Sequence, residues 1–220
     1  MCIRDSHKKF ADGGEVIVWE TGRAGEEAAS YENLFLRKEI AGFRTNIRRE
    51  QSCSIKSLTR DYLYKQLLSS GEYTFDHMLV IKDPYGEAPL TALALFILEE
   101  PACVRVTTKG NLKETDFVTE LPKKKEHRVP ILGMYAEKAN DIVIEILDDE
   151  GNCVKSHTFT IRTKRLPKSL RNVITVKKWT DKPAYSNIMI NGGVKIHTCV
   201  FDIEGKIRYY CLLYTSDAAD

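Results

Sequence analysis

No apolar run in the 220-residue sequence approaches the roughly 18 residues that a membrane-spanning helix needs. No two cysteines stand close together, and no broad stretch carries charge of one sign. The first lack excludes a transmembrane helix. The second argues against a structural zinc site, which draws on CxxC-type clusters: Cys53, Cys103, Cys153 and Cys199 are spaced about fifty residues apart. A disulfide such as Cys103 with Cys153 is open in an oxidising compartment, and buried free thiols are the expected state. The third speaks against a nucleic-acid partner, whose footprint is a basic face with aromatic platforms. Lys123, Lys124 and Lys125 form the one basic cluster of note, and they read as a solvated loop ahead of the next strand.

Also missing are a Ser-His-Asp set, a glycine-rich phosphate loop and a paired carboxylate. No catalytic, cofactor-binding or metal-ligating residue is therefore assigned, and no cofactor is implied. His127 in a loop, and His157 and His197 within strand patterns, read as structural or surface histidines. Glu99-Glu100 and Asp148-Asp149-Glu150 read as solvated turns, and Tyr85, Tyr135, Tyr209 and Tyr210 as packing residues. What is present is ordinary for a soluble globular protein: 43% hydrophobic and 29% charged residues, enough for one large domain or a domain with a partial neighbour.

The two ends read as foreign to the fold. Cys211 to Ser216 (CLLYTS) can be encoded TGT CTC TTA TAC ACA TCT, whose reverse complement contains ATG TGT ATA AGA GAC A and so translates as the Met1 to Ser6 end (MCIRDS). One DNA element read on opposite strands accounts for both, and it resembles the transposon adaptor ligated to fragments in shotgun sequencing. Residues 1–6 and 211–220 are expected to be adaptor translation, to be set aside before fold reasoning. Without them the chain holds 32 basic and 28 acidic side chains, since Arg4, Asp5, Asp217 and Asp220 leave the count of 33 and 31. The native termini are then expected to lie outside the sequence.

Between these ends, residues 7–72 form an N-terminal segment, partly helical, whose first part to Gln51 has no evident task. Ile55, Leu58, Tyr62 and Leu67 recur near helical spacing over Ser54 to Leu68, and Ser69, Ser70 and Gly71 stop the pattern. From Tyr73 the period turns to two. Met78 to Lys82 ends at the turn Asp83-Pro84-Tyr85-Gly86. Leu90 to Leu98 is bounded by Pro89 and Pro101, and Val104 to Lys109 alternates. A weaker run lies near Phe117, and others at Val129 to Leu132, Asp141 to Leu147 and Val154 to Arg162. Alternation points Val143 and Leu147, and Phe159 and Ile161, inward.

About seven short strands with regular turns describe an immunoglobulin-like β-sandwich over 73–164. The fold class is mainly β: that sandwich, a short helical segment before it, and the first strands of a truncated β-propeller after it. Residues 165–185 read as a linker and first strand from Val173 to Trp179. Residues 186–210 read as the propeller's start, with Val194 to Asp202 and Lys206 to Tyr210 joined by an Asp-x-x-Gly turn.

The segment VIKDPYGEAPLTALA, Val80 to Ala94, is similar to the opening strand, turn and second strand of the immunoglobulin-like N-terminal domain of aryl-sulfate sulfotransferases. The match continues through Thr108-Lys109-Gly110, Glu126-His127 and Val129-Pro130-Ile131-Leu132-Gly133-Met134-Tyr135 to Ala139-Asn140, in order over about ninety residues. The hairpin Phe201-Asp202 to Gly205-Lys206-Ile207-Arg208-Tyr209-Tyr210 resembles the family's first propeller strands, with Tyr209 and Tyr210 where the family often has Trp.

The resemblance implies an exported parent enzyme, periplasmic or at the cell surface. It would move a sulfuryl group from an aryl sulfate donor to a phenol acceptor through a sulfated histidine, without a nucleotide donor. The family's catalytic residues lie downstream of Tyr210, so this stretch alone is expected to be inactive. The sandwich is expected to brace the propeller or a homodimer. The alternative is a non-enzymatic immunoglobulin-like binding or spacer module of an exported protein.

Overall fold

The computed structural model describes residues 6–10, 13–32, 49–171, 174–177, 187–190 and 198–212, without the side chains of 49–55 and 187–190. The chain is mainly β. It divides into two compact units, one of Met1–Gly86, Leu93–Pro101 and Lys125–Arg128, the other of Glu87–Ala92, Ala102–Lys124 and Val129–Asp220.

In the first unit, β1 (Ser6–Lys9), β2 (Glu15–Trp19), β3 (His77–Lys82) and β4 (Ala92–Thr108) neighbour one another in that order. β1 and β2 are antiparallel, but β2 and β3 run parallel, with Glu15 opposite His77 and Trp19 opposite Ile81. Parallel neighbours cannot be joined by a tight turn and need a crossover. Among the described residues two helices lie within it: α1 (Thr21–Ala29) and α2 (Arg49–Ser69).

Ala24 and Ala28, four residues apart on α1, join Leu63, Tyr64 and Leu68 of α2 over Trp19, Leu79, Ile81 and Leu95 in one apolar cluster. α2 is the helix that the spacing announced, with a turned face. Leu58 is exposed and Tyr62 and Leu67 are half-buried, while Thr59, Leu63, Tyr64 and Leu68 face the core. Ile55 lies outside the described side chains. The described residues of the segment before Gln51, which carried no assignment, supply two strands and α1 to this unit.

In the second unit, β4, β6 (Ala139–Leu147) and β7 (Cys153–Arg162) form antiparallel neighbours, and β5 (Phe117–Ile131) pairs with β4. Five strands thus occupy 73–164 where seven short ones were expected, because two pairs of runs are continuous. β4 passes straight through Pro101, whose exposed position spares the ladder a donor that proline lacks. β5 runs through Lys123–Lys125 and carries His127, so the lysines lie on an exposed strand and His127 is not in a loop. Lys123 pairs with Asp149.

On β6 the inward residues are Ile142 and Ile144, with Val143 half-buried. A register slip between Ile146 and Leu147 then returns Leu147 to the core. Phe159 and Ile161 point inward as their alternation implies. Cys103 and Cys153 both face Leu147, from β4 on one side and β7 on the other. Two strand spacings, roughly 10 Å, exceed the reach of a disulfide, about 7 Å between Cα atoms. Both thiols are free, and Cys153 is exposed rather than buried; Cys199 is buried and free.

A three-stranded antiparallel sheet of β8 (Asn187–Ile190), β9 (Cys199–Asp202) and β10 (Ile207–Tyr210), in the order β10-β9-β8, closes the described part of this unit. Residues 174–177 form no strand, and the remainder of the run expected from Val173 to Trp179 lies outside the described residues, as do 194–197 and with them His197. No helix among the described residues is long and apolar enough to cross a membrane.

Candidate functional site

The β9–β10 turn shows why its sequence is Asp-x-x-Gly. Oδ1 of Asp202 accepts the backbone N–H groups of Glu204 and Lys206, both at 3.0 Å, and the Gly205 N–H donates to the Asp202 carbonyl at 2.8 Å. Gly205 sits at φ 76, where a side chain would be strained. Asp202 is thereby fixed with its second oxygen, Oδ2, turned into the interior.

β10 then makes a bulge. Ile207 pairs with Phe201 and Tyr209 with Val200, so two steps on β10 answer one on β9. A bulge re-aims the residue that it leaves out of the ladder. Here that residue is Arg208, whose side chain is 0% exposed.

The guanidinium lands on a seat made by two loops. Gly133, at φ 75 after β5, offers its carbonyl to Nε at 2.6 Å, and a Cβ there would lie 2.7 Å from Phe117 Cβ. Thr115 ends a short 3-10 helix (Lys113–Thr115) and offers its carbonyl to Nη1 at 2.7 Å. The Tyr135 ring lies beneath the guanidinium carbon, 4.0 Å from centroid to Cζ, and its hydroxyl accepts from Nη1 at 3.0 Å. That hydroxyl donates to Asp202 Oδ2 at 2.8 Å, and Nη1 is 3.4 Å from the same oxygen. Nη2 is buried with no hydrogen-bond partner among the described residues.

Tyr135 is itself pinned. Its N–H donates to Asn140 Oδ1 at 2.7 Å, Asn140 Nδ2 donates back to its carbonyl at 3.0 Å, and Thr163 Oγ1 donates to the same carbonyl. The Asn111 N–H donates to the Tyr135 hydroxyl at 3.1 Å, and on the rim Asn111 Nδ2 donates to Glu204 Oε2 at 3.1 Å. Burial, the largest influence, lifts the Tyr135 phenol above its ordinary pKa, against hydrogen bonds from Thr115 and Asn111 that lower it. The phenol therefore stays neutral and serves as both donor and acceptor. Such a seat can bind and register a planar cation. It presents no nucleophile with an adjacent base, and no group of three metal-ligating residues exists among the described residues.

A second polar cluster lies in the first unit around the Asp83–Gly86 turn. The Pro84 carbonyl accepts Arg60 Nη1 at 2.7 Å and the Tyr64 hydroxyl, both from α2. Tyr85 donates to Asp61 Oδ1 at 2.6 Å, and Arg128 Nη2 donates to Asp61 Oδ1 at 2.5 Å and to the Tyr85 hydroxyl at 3.1 Å. Burial first, then the bond to Asp61, pushes the Tyr85 phenol up to about 12. This cluster clamps α2 to the turn.

Of the three histidines weighed from the sequence, two lie within the described residues. His127 is buried, stacked on Phe96 with centroids 5.3 Å apart, and His157 is buried on β7. Glu99 and Glu100 are exposed, on β4 rather than in a turn. Asp148 does cap a turn: N–H groups of Asn152 and Glu150 bond its Oδ1, and its carboxyl is held below the usual range, chiefly by Asn152. Tyr85 and Tyr135 prove to be hydrogen-bonding residues rather than plain packing. Arg208 was passed over as a site residue, though a lone arginine between Ile207 and the aromatic pair of an otherwise apolar strand was a legible signal.

Residues 79–164 match a family model described as the arylsulfotransferase Ig-like domain. No curated protein matches the chain. The matched span contains Gly133, Tyr135 and Asn140, and the Asp202–Arg208 hairpin follows it.

Proposed function

The chain carries the immunoglobulin-like domain of the arylsulfotransferase family, and from this premise we propose that its parent transfers a sulfuryl group from an aryl sulfate to a phenol. The family match over residues 79–164 carries the reading. In the proposed reaction a neutral imidazole attacks sulfur and the phenolate leaves, forming a sulfated histidine that a second phenol then discharges. One difficult displacement becomes two easier ones, and fixed donors stabilise charge on the sulfuryl oxygens and the leaving phenolate. We place those catalytic groups beyond Tyr210, on a propeller that residues 186–210 begin, in an exported, periplasmic or surface protein. No residue of the present chain is given a catalytic role.

The share proposed for this chain is bracing, of the propeller or of a homodimer. The Arg208 seat supports it, since a fully buried arginine ties β10 to loops of the sandwich 73 to 93 residues earlier. The test is to extend the reading frame past Tyr210 and assay its product for transfer from a chromogenic aryl sulfate to a phenol without a nucleotide donor. Transfer upholds the proposal. A frame that runs into further sandwich domains, with no transfer, sinks it in favour of a binding or spacer module.

A further inference from the structure

We propose that the loops at Thr115 and Gly133–Tyr135 form a guanidinium-binding seat, and that Arg208 is the ligand holding it in cis. Several observations converge. The acceptors are two main-chain carbonyls and one phenol, spread around a single planar donor at 2.6, 2.7 and 3.0 Å, over an aromatic face at 4.0 Å. This is the geometry that suits a guanidinium fork and not the compact point charge of an ammonium. Each acceptor is held independently of Arg208. Gly133 is held by its positive φ against Phe117, Thr115 by its hydroxyl bond to the Leu112 carbonyl at 2.8 Å, and Tyr135 by its reciprocal pair with Asn140.

A site that is organised by its own scaffold loses little on binding and is selective for the shape it fits. The bulge on β10 and the Asp202 cap bring the cation and its counter-charge to the seat together. The hairpin is thereby registered on the sandwich by one side chain.

The bland reading is that Arg208 merely fills space, in which case any apolar replacement would serve and no small molecule would substitute for it. Chemical rescue separates the two. In the full 220-residue chain, Arg208→Ala is expected to raise amide hydrogen exchange in β9 and β10 about tenfold or more, with β6 and β7 unchanged, since local opening is read segment by segment. Methylguanidinium at about 10 mM, far below denaturing concentrations, should restore most of that protection by mass action, and methylammonium at the same concentration should not.

Should Arg208→Ala unfold throughout, the same two cations are compared for recovery of far-ultraviolet dichroism. Tyr135→Phe then gives the second reading: it keeps the arginine but removes the phenolic links to Asp202, to Arg208 and to the Asn111 N–H, and it should raise exchange in the hairpin and at Asn111, with β6 and β7 unchanged. Unchanged hairpin protection in either variant, or methylguanidinium no better than methylammonium, overturns the proposal. The seat does not rest on sulfuryl transfer: an inactive parent with intact rescue would remove the function proposed above and leave the seat standing.

Discussion

Asn140 is the residue on which the Tyr135 loop turns, and changing its amide to a carboxyl makes a pH-dependent test of that role. In the native site Oδ1 accepts the Tyr135 N–H, while Nδ2 faces the carbonyls of Tyr135 at 3.0 Å, Lys138 at 3.1 Å and Ile161 at 3.4 Å. Asn140→Ala leaves the buried Tyr135 N–H without its acceptor, at a cost of about 1–3 kcal/mol. The Tyr135 carbonyl keeps Thr163. Because alanine does not titrate, this loss should be flat with pH. Asn140→Asp behaves differently. Protonated, it can still accept the Tyr135 N–H and donate to the Tyr135 carbonyl; ionised, it sets a buried charge against three carbonyl oxygens.

The folded state therefore favours the neutral acid and raises the folded pKa above the unfolded value of about 3.9. The stability of Asn140→Asp relative to the parent is then fully present below about pH 3.9. It falls by about 1.4 kcal/mol per pH unit as pH rises, and levels off above the folded pKa. Urea unfolding of the parent and both variants from acid to neutral pH reads this directly. If the gap between Asn140→Asp and the parent stays constant across that range, the amide is not held as described and the reasoning fails.

Four shorter predictions follow from neighbouring features. Gly133→Ala should cost well over the roughly 1 kcal/mol of a positive-φ penalty alone, because its Cβ would meet Phe117 at 2.7 Å, and Phe117→Ala should recover part of the loss in a double-mutant cycle read by thermal unfolding. Tyr85 should titrate near pH 12 by its phenolate absorbance. Since that folded pKa lies above the unfolded value of about 10, its contribution to stability is whole below pH 10 and fades as pH rises towards 12, and Tyr85→Phe should flatten that part of the curve. Lys123→Ala should leave the urea unfolding midpoint essentially unmoved despite the contact with Asp149, as exposed pairs do; a clear downward shift would show that β5 depends on this pair. Mild oxidation should yield no Cys103–Cys153 disulfide in peptide maps, with Cys153 alkylating readily only in alkali, because burial and Glu145 hold its thiol above the ordinary range.

The parts of this fold that could be read from the sequence are those whose cause is local. The β9–β10 turn was visible because Asp202 and Gly205 act within four residues, and β6 and β7 were visible because alternation is a nearest-neighbour pattern. Pro101 and the lysine run misled for the same reason. They are local signs of interruption, whereas the continuity of β4 and β5 is decided by the strands beside them, which the ladder supplies from far along the chain. β2 failed to show because it is five residues long and its partner, β3, begins at His77. The phase of β6 held at Leu147 and failed at Val143, because the slip before Leu147 breaks the strict alternation that links the two positions.

The Arg208 seat combines both kinds of difficulty, which is why the sequence alone suggests packing for Tyr135 and shows no site at Arg208. Gly133, Tyr135 and Asn140 stood in the sequence only as positions matching the family, and the structure explains each: the turn aims a carbonyl, and the asparagine pins the aromatic. Their common purpose is set by a side chain 73 residues later that a bulge, not the strand's alternation, carries inward. Burying a guanidinium costs several kcal/mol unless its hydrogen bonds and counter-charge are in place. An arginine placed among Ile207, Tyr209 and Tyr210 therefore implies such partners somewhere in the fold, and a loop of otherwise unexplained geometry is where to seek them. Of the described loops, those at Thr115 and at Gly133–Tyr135 supply them, with Asp202 bringing the charge from the arginine's own hairpin.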